Sequence, residues 1–144
     1  MKRTVDQYFT DYASYHQDHR NKLTHYGGIP LIVIAVLGLL ARITFGEAVE
    51  GFRLDGGVVA WILASFWYIR LDLRLGASFA LVLAGLYWVG RVLPVPALIA
   101  AFVVGWILQL WGHHSFEKKA PAFTKNFEHL LIGPFWIFAG FFRK

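Results

Sequence analysis

Hydrophobic and polar positions divide the chain into a polar, aromatic N-terminal stretch and a series of apolar runs separated by short charged turns. In residues 4–17, Val5, Tyr8, Phe9, Tyr12 and the Tyr15–His16 pair recur at intervals of three and four. That spacing predicts a short amphipathic helix lying on or near a membrane. Thr4 is its cap, and Gln7 stands where a capping box places Glu or Gln. An ordinary surface helix is the plainer alternative. From His16 to His25 the apolar rhythm breaks, and Asn21, or Asp18 before it, is placed to cap a second helix. Gly27-Gly28-Ile29-Pro30 should loosen that helix's first turns, because proline removes one donor from the ladder.

Apolar segments follow at about 27–45, 56–69, 75–90 and 97–112, with a last run at about 127–142. A polar loop from Gly46 to Asp55 separates the first two, Arg70–Arg74 makes a tight charged turn, and Arg91–Pro96 makes another. Gly133-Pro134 interrupts the last run, which is expected either to cross or to form a re-entrant or interfacial hairpin. A tidy span takes roughly 20 apolar residues, and several of these are nearer 15. Trp61, Trp67, Tyr68, Tyr87, Trp88, Trp106 and Trp111 lie mostly near segment ends, as interfacial aromatics do. Short spans suit a thin or locally thinned bilayer. The expected fold is therefore all-α: an integral membrane helical bundle of four or five apolar segments with an N-terminal amphipathic helix. It is read as a single domain, with residues 1–26 interfacial and 27–142 forming the bundle.

Composition supports that reading. Of 144 residues, 57% are hydrophobic and 16% charged, and mean hydropathy is +0.50; small soluble domains are about 45–50% apolar. The net charge of +5 comes from 14 Lys and Arg spread through connecting segments, with no basic stripe of interleaved aromatics. Nucleic acid is therefore not an expected partner, whereas membrane lipid is. The N-terminal stretch stays polar to about residue 26, unlike a signal peptide, so the first apolar segment is expected to be retained. With the N-terminus cytoplasmic, that face carries Lys2, Arg3, Arg20, Lys22, Arg70, Arg74, Lys118, Lys119 and Lys125. The far face then holds Arg42, Arg53 and Arg91, joined by Arg143 and Lys144 if the last run crosses. Absence of cysteine leaves His, Asp and Glu as metal ligands.

The candidate chemistry centres on Trp111–Pro121, where an apolar run ends and two histidines, a carboxylate and two lysines arrive together. His113 and Glu117 stand one helical turn apart, a spacing that lets two ligands on one helix share a metal. Four apolar segments separate His25 from His113. An even number of crossings returns the chain to one face, where His16, His19 and His25 can meet His113, His114 and Glu117. His16 and His25 lie roughly 180° apart round a continuous helix, so they converge only if the helix breaks near Asp18–Asn21. Imidazole with carboxylate suits zinc or non-haem iron, and spacing does not choose between them. Blander readings stand beside these. A lone interfacial histidine is usually a solvated or hydrogen-bonding group. His114 points away from its neighbour, while His19 and His129 read as solvated or lipid-interface residues. Lys118 and Lys119 read as anchors, either of which could also attract a substrate carboxylate, and Tyr15 and Asn21 as either second-layer hydrogen-bonding groups or an interfacial ring and a cap.

Two motifs carry a resemblance. The stretch from Tyr12 through His16, Asn21 and His25 to Gly28 and Pro30 is similar to the pattern Y-x-x-x-H-x-(N)-x-x-N-x-x-x-H-x-x-G-x-P. Gly112-His113-His-Ser-Phe116-Glu117-Lys118-Lys-Ala-Pro121-Ala, followed by Gly133-Pro134, is similar to G-H-x-x-F-E-x-x-x-P-A with a later proline. Together they resemble the yeast 2-hydroxy fatty acid dioxygenase family over nearly the whole chain. Where that family often has proline before the asparagine, this chain has Arg20. The resemblance implies an Fe(II)-dependent dioxygenase of α-oxidation, shortening a 2-hydroxy fatty acid by one carbon with O2 and without 2-oxoglutarate. Its matching polar positions are His16, Asn21, His25, His113 and Glu117. On that basis His16, His25 and His113 are expected as ligands, Glu117 as a fourth ligand or an orienting group, and Glu117 and Asn21 as participants in catalysis. The acid's tail would lie among the apolar spans with its head at the interface, and Lys22, Lys118 or Arg20 would be within reach of the carboxylate. Competing classes are a non-enzymatic metal- or haem-binding module, a small transporter, and a zinc hydrolase with Glu117 as base.

Overall fold

The computed structural model describes residues 3–49 and 51–142, with Phe52 described by its backbone alone. Lys2, Glu50, Arg143 and Lys144, which figure in the charge reading and the expected loop, lie outside the described residues. Six α-helices account for most of the chain: α1 (Val5–Ser14), α2 (His19–Leu40), α3 (Gly56–Leu71), α4 (Leu73–Val92), α5 (Val95–Gly112) and α6 (His129–Gly140). A π-helical turn, His113–Glu117, continues α5, and a 3-10 turn covers Ala122–Thr124. Counting that continuation, α5 joins α2 and α4 as helices long and apolar enough to cross a membrane, while α3 and α6 are shorter. Twelve residues in α6 rise only about 18 Å, against a hydrocarbon core of about 30 Å.

The described residues fall into two compact units, one within 3–30 and 104–142 and the other within 31–103. In the second unit, α3 and α4 form an antiparallel pair. The charged turn expected at Arg70–Arg74 is reduced to Asp72, whose N–H donates to Tyr68 O while its carboxylate accepts from Leu75 N–H at 2.9 Å. Asp55 caps α3 in the same way, accepting from Val58 N–H at 2.9 Å. Its other carboxylate oxygen, buried with the rest of the side chain, accepts from Tyr87 Oη at 2.7 Å and Arg91 Nη1 at 2.5 Å. Glycine faces glycine where α2 meets α4: a Cβ on Gly38 would stand 2.6 Å from Gly90 O, so only the bare backbones fit.

Between α2 and α3 the structure departs from the expected polar loop. The first apolar segment ends as helix at Leu40, and β1 (Thr44–Val49) pairs antiparallel with β2 (Phe52–Asp55). Gly46 (φ 66°) and Gly51 (φ 80°) supply left-handed backbone, and Thr44, Phe45 and Val49 are side chains that suit a pleated strand.

In the first unit, α1 begins as read: Thr4 Oγ1 accepts from Gln7 N–H, and Gln7 Oε1 accepts from Thr4 N–H at 2.9 Å. Its apolar face packs against the protein. Val5, Tyr8 and Tyr12 are buried, and α1 packs on α6 with Phe9 against Phe135 (ring centroids 5.5 Å apart) and Tyr12 against Trp136 (5.3 Å). Pro134 leaves α6 one continuous helix rather than a hairpin, because the chain is already turning helically from Asn126 onward. Ile132 and Phe135 are wholly buried.

Candidate metal centre

Three local features bring the histidines together. First, α1 stops at Ser14 and α2 starts at His19, so the helix breaks between His16 and His25 as their spacing requires. Asp18, not Asn21, caps α2: its Oδ1 accepts from Arg20 N–H at 2.8 Å, and its carbonyl accepts from Lys22 N–H at 3.2 Å. The Arg20 guanidinium and backbone hold the Asp18 carboxyl well below the usual range. Second, the end of α5 lies against the start of α2, where a Cβ on Gly112 would collide with Thr24 Oγ1 and Asn21 Oδ1. Third, the π turn carries His113 inward and ends at Lys118 in the left-handed region (φ 54°).

His16, His25 and His113 are 1%, 1% and 2% exposed, and each offers a nitrogen within 4.8 Å of the others. His16 Nδ1 lies 2.8 Å from Tyr12 O, and His25 Nδ1 lies 2.8 Å from Asn21 O. Carbonyls only accept, so both Nδ1 atoms carry the proton and both neutral rings direct an Nε2 lone pair inward. Those Nε2 atoms are 3.0 Å apart. Two lone pairs facing each other repel unless a cation or proton lies between them. A shared proton is disfavoured, because burial pushes the His16 imidazole down to about 4, with His113 and His129 adding to the shift. A metal cation fits: two nitrogens each about 2.0–2.1 Å from one ion, and adjacent in its shell, lie about 3 Å apart. Tyr12 stacks on His16 at 4.1 Å and fixes the ring plane.

Glu117 and Asn21 sit beside this cluster rather than in it. Glu117 Oε1 accepts from Asp18 N–H at 2.8 Å and from Asn21 Nδ2 at 3.2 Å. Glu117 therefore ties the π turn to the break before α2. Tyr15 closes α1 at its C-terminus, and Lys22 is half-buried on α2. Arg20 is engaged by Asp18 and lies over the Phe116 ring at 4.7 Å. His19 and His114 are exposed. His114, Lys118, Lys119 and Pro121 line an open cavity of about 780 Å³ with His113 in its wall.

His129 is a correction: it is 4% exposed, with Nε2 3.1 Å from Asp11 Oδ2, an oxygen that also accepts from Arg3 at 3.1 Å. No local spacing links positions 118 residues apart. Gln109, also buried, was missed as well, although a lone amide four residues before His113 in an apolar run was its visible signal.

These features define a helical protein with three helices of membrane-crossing length and a buried trio of imidazoles able to hold a metal ion. Residues 2–144 match the family described as 2-hydroxy-palmitic acid dioxygenase Mpo1-like. The chain belongs to the Mpo1-like family, which bears out the resemblance carried by its two motifs. It is 30% identical over 138 residues to the 2-hydroxy-palmitic acid dioxygenase MPO1 of Saccharomyces cerevisiae, covering 92% of this chain and 76% of the yeast protein. No solved structure matches the chain.

Proposed function

We propose that this protein is an Fe(II)-dependent dioxygenase that converts a 2-hydroxy fatty acid to the acid one carbon shorter. The observation that carries the metal reading is the pair of inward Nε2 atoms 3.0 Å apart, each ring pinned by a carbonyl on its other nitrogen, with His113 as third donor. The choice of iron and of substrate leans on the Mpo1-like family and the yeast relative's name. His16, His25 and His113 would hold the ion, which would supply the redox chemistry needed to use O2. An all-nitrogen protein set leaves coordination positions for substrate and oxygen. Overall, C2 of the acid becomes the new carboxyl, C1 leaves as CO2, and O2 takes up four electrons and appears in the acid and in water.

The chain's own residues prepare this. Tyr12 O and Asn21 O hold two imidazoles in the tautomer that binds metal. Glu117 and Asn21 act as positioning residues that fix the π turn carrying His113. Lys118 and Lys119, at the cavity beside His113, would attract the acid's carboxylate. The distribution of Lys and Arg would put the N-terminus and this centre on the cytoplasmic face of a membrane, with lipid around α2, α4 and α5.

Metal analysis of purified protein is the first test. Wild-type protein loaded with Fe(II) anaerobically is expected to retain about one iron per chain, and His25→Ala and His113→Ala are expected to lose it. Full iron in either variant removes that residue from the ligand set. No metal in the folded wild type removes the proposal.

A further inference from the structure

α5 carries a single amide, Gln109, among otherwise apolar and tryptophan side chains. Gln109 stands four residues before His113 and so projects from the same helical face. It is 7% exposed, and its Nε2 has no hydrogen-bond partner. Opposite it, α2 presents Gly28, three residues after His25. A Cβ at Gly28 would stand 2.9 Å from Gln109 Nε2 and 2.8 Å from Gly105 O. Glycine thus leaves room for the amide one turn deeper along both helices than the imidazoles.

An amide donor without an acceptor in an apolar helix pair is strongly unfavourable, and replacing it by a hydrocarbon is the simple remedy. Its presence one turn from the trio points to an acceptor that arrives with a ligand. Asn21 Oδ1, on the other side of His25, is also buried and without a partner. Unmatched polar atoms thus stand at the cluster: Gln109 Nε2 and Asn21 Oδ1 on either side of His25, and Nδ1 of His113 and of nearby His129. Of a fatty acid, only the head group can satisfy such atoms, since the tail has neither lone pairs nor polar hydrogens.

We infer that Gln109 is a substrate-binding residue whose amide donates to a head-group oxygen, carboxylate or 2-hydroxyl, of the acid held at the three histidines. This rests on the dioxygenase reading. The amide fixes how deeply the head enters and rejects an acid inserted tail first.

The test compares wild type with Gln109→Leu and Gln109→Met, which keep the bulk and remove the donor. All are loaded with Fe(II) anaerobically in detergent and titrated with 2-hydroxyhexadecanoate by calorimetry. Iron content and substrate-free melting temperature are measured alongside. Both variants are expected to keep wild-type iron, to melt at or above the wild-type temperature, and to bind the acid roughly 10- to 100-fold more weakly. Wild-type affinity in the variants overturns the inference. So does loss of iron, a lowered substrate-free melting temperature, or failure of both to fold, since each makes the amide structural. If the iron-loaded wild type itself binds no acid, the dioxygenase reading fails first and takes this inference with it.

Discussion

Each imidazole of the trio depends on a neighbour for its orientation. Carbonyls of Tyr12 and Asn21 set two tautomers, and Glu117 joins Asp18 and Asn21 in a small network that ties down the turn carrying the third, whose own Nδ1 has no hydrogen-bond partner. Glu117→Gln keeps the shape but loses the carboxylate charge that strengthens both hydrogen bonds. It is expected to weaken iron affinity roughly 10- to 100-fold while leaving the protein folded, which a competitive chelator titration measures. Acid stability supplies a second check. Burial lowers the His16 imidazole from 6.5 to about 4, so between those values the unfolded chain takes up a proton that the folded chain refuses. Metal-free protein is therefore expected to hold its full stability above about pH 6.5 and to lose this contribution as pH falls to about 4. His16→Asn should lessen the slope of that part of a denaturation-versus-pH curve without abolishing it, since His25 and His113 remain buried; an unchanged slope would contradict the burial of His16. The motif histidines were legible because their spacing is fixed by helix geometry. His129 was not, because its partner Asp11 lies on a different helix and nothing local marks the pairing.

The decisive elements are the two interruptions, the break at 15–18 and the π turn at His113–Glu117. The break was legible from the nine-residue interval between His16 and His25, which a continuous helix puts on opposite sides. Its cap was open between Asp18 and Asn21, and Asp18 won because Asn21 is drawn inward to Glu117. The π turn was not legible, since i, i+4 spacing reads as ordinary α-helix; what widens it is the need to bring Glu117 back to Asp18 while His113 faces inward. The hairpin at Thr44–Asp55 escaped because Glu47 and Arg53 made the stretch look like a loop, although two glycines marked its turns. Gly112 links the two interruptions, because its bare backbone lets α5 end beside Asn21 and Thr24. Gly112→Ala is expected to destabilise the protein by about 1–3 kcal/mol and to reduce iron retention together with it. Thermal unfolding with metal analysis measures both, and wild-type values for both would show that the close approach is unnecessary.

For the whole molecule, the pattern of apolar runs was enough to give a helical chain with long apolar helices, and the described residues form five apolar helices where four or five segments were expected. Length sorts them: α2, α4 and α5 reach crossing length, whereas α6 is occupied with α1. Four helices, α2 to α5, run between His25 and His113, three of them of crossing length, and the two rings meet with centroids 4.9 Å apart. The proposed sidedness is open to direct labelling, because the chain has no cysteine. Lys119→Cys is expected to react with an impermeant maleimide only from the cytoplasmic face, and Arg53→Cys only from the other. Labelling of both from one side would contradict the topology.

Iron-loaded protein is given 2-hydroxyhexadecanoate in an oxygen electrode cell, and the acids are then separated by mass. One O2 is expected to be consumed per molecule of pentadecanoate formed, with no 2-oxoglutarate added and no turnover by His113→Ala. Folded, iron-loaded protein that consumes no oxygen, or consumes it without forming the shorter acid, would contradict the proposed reaction.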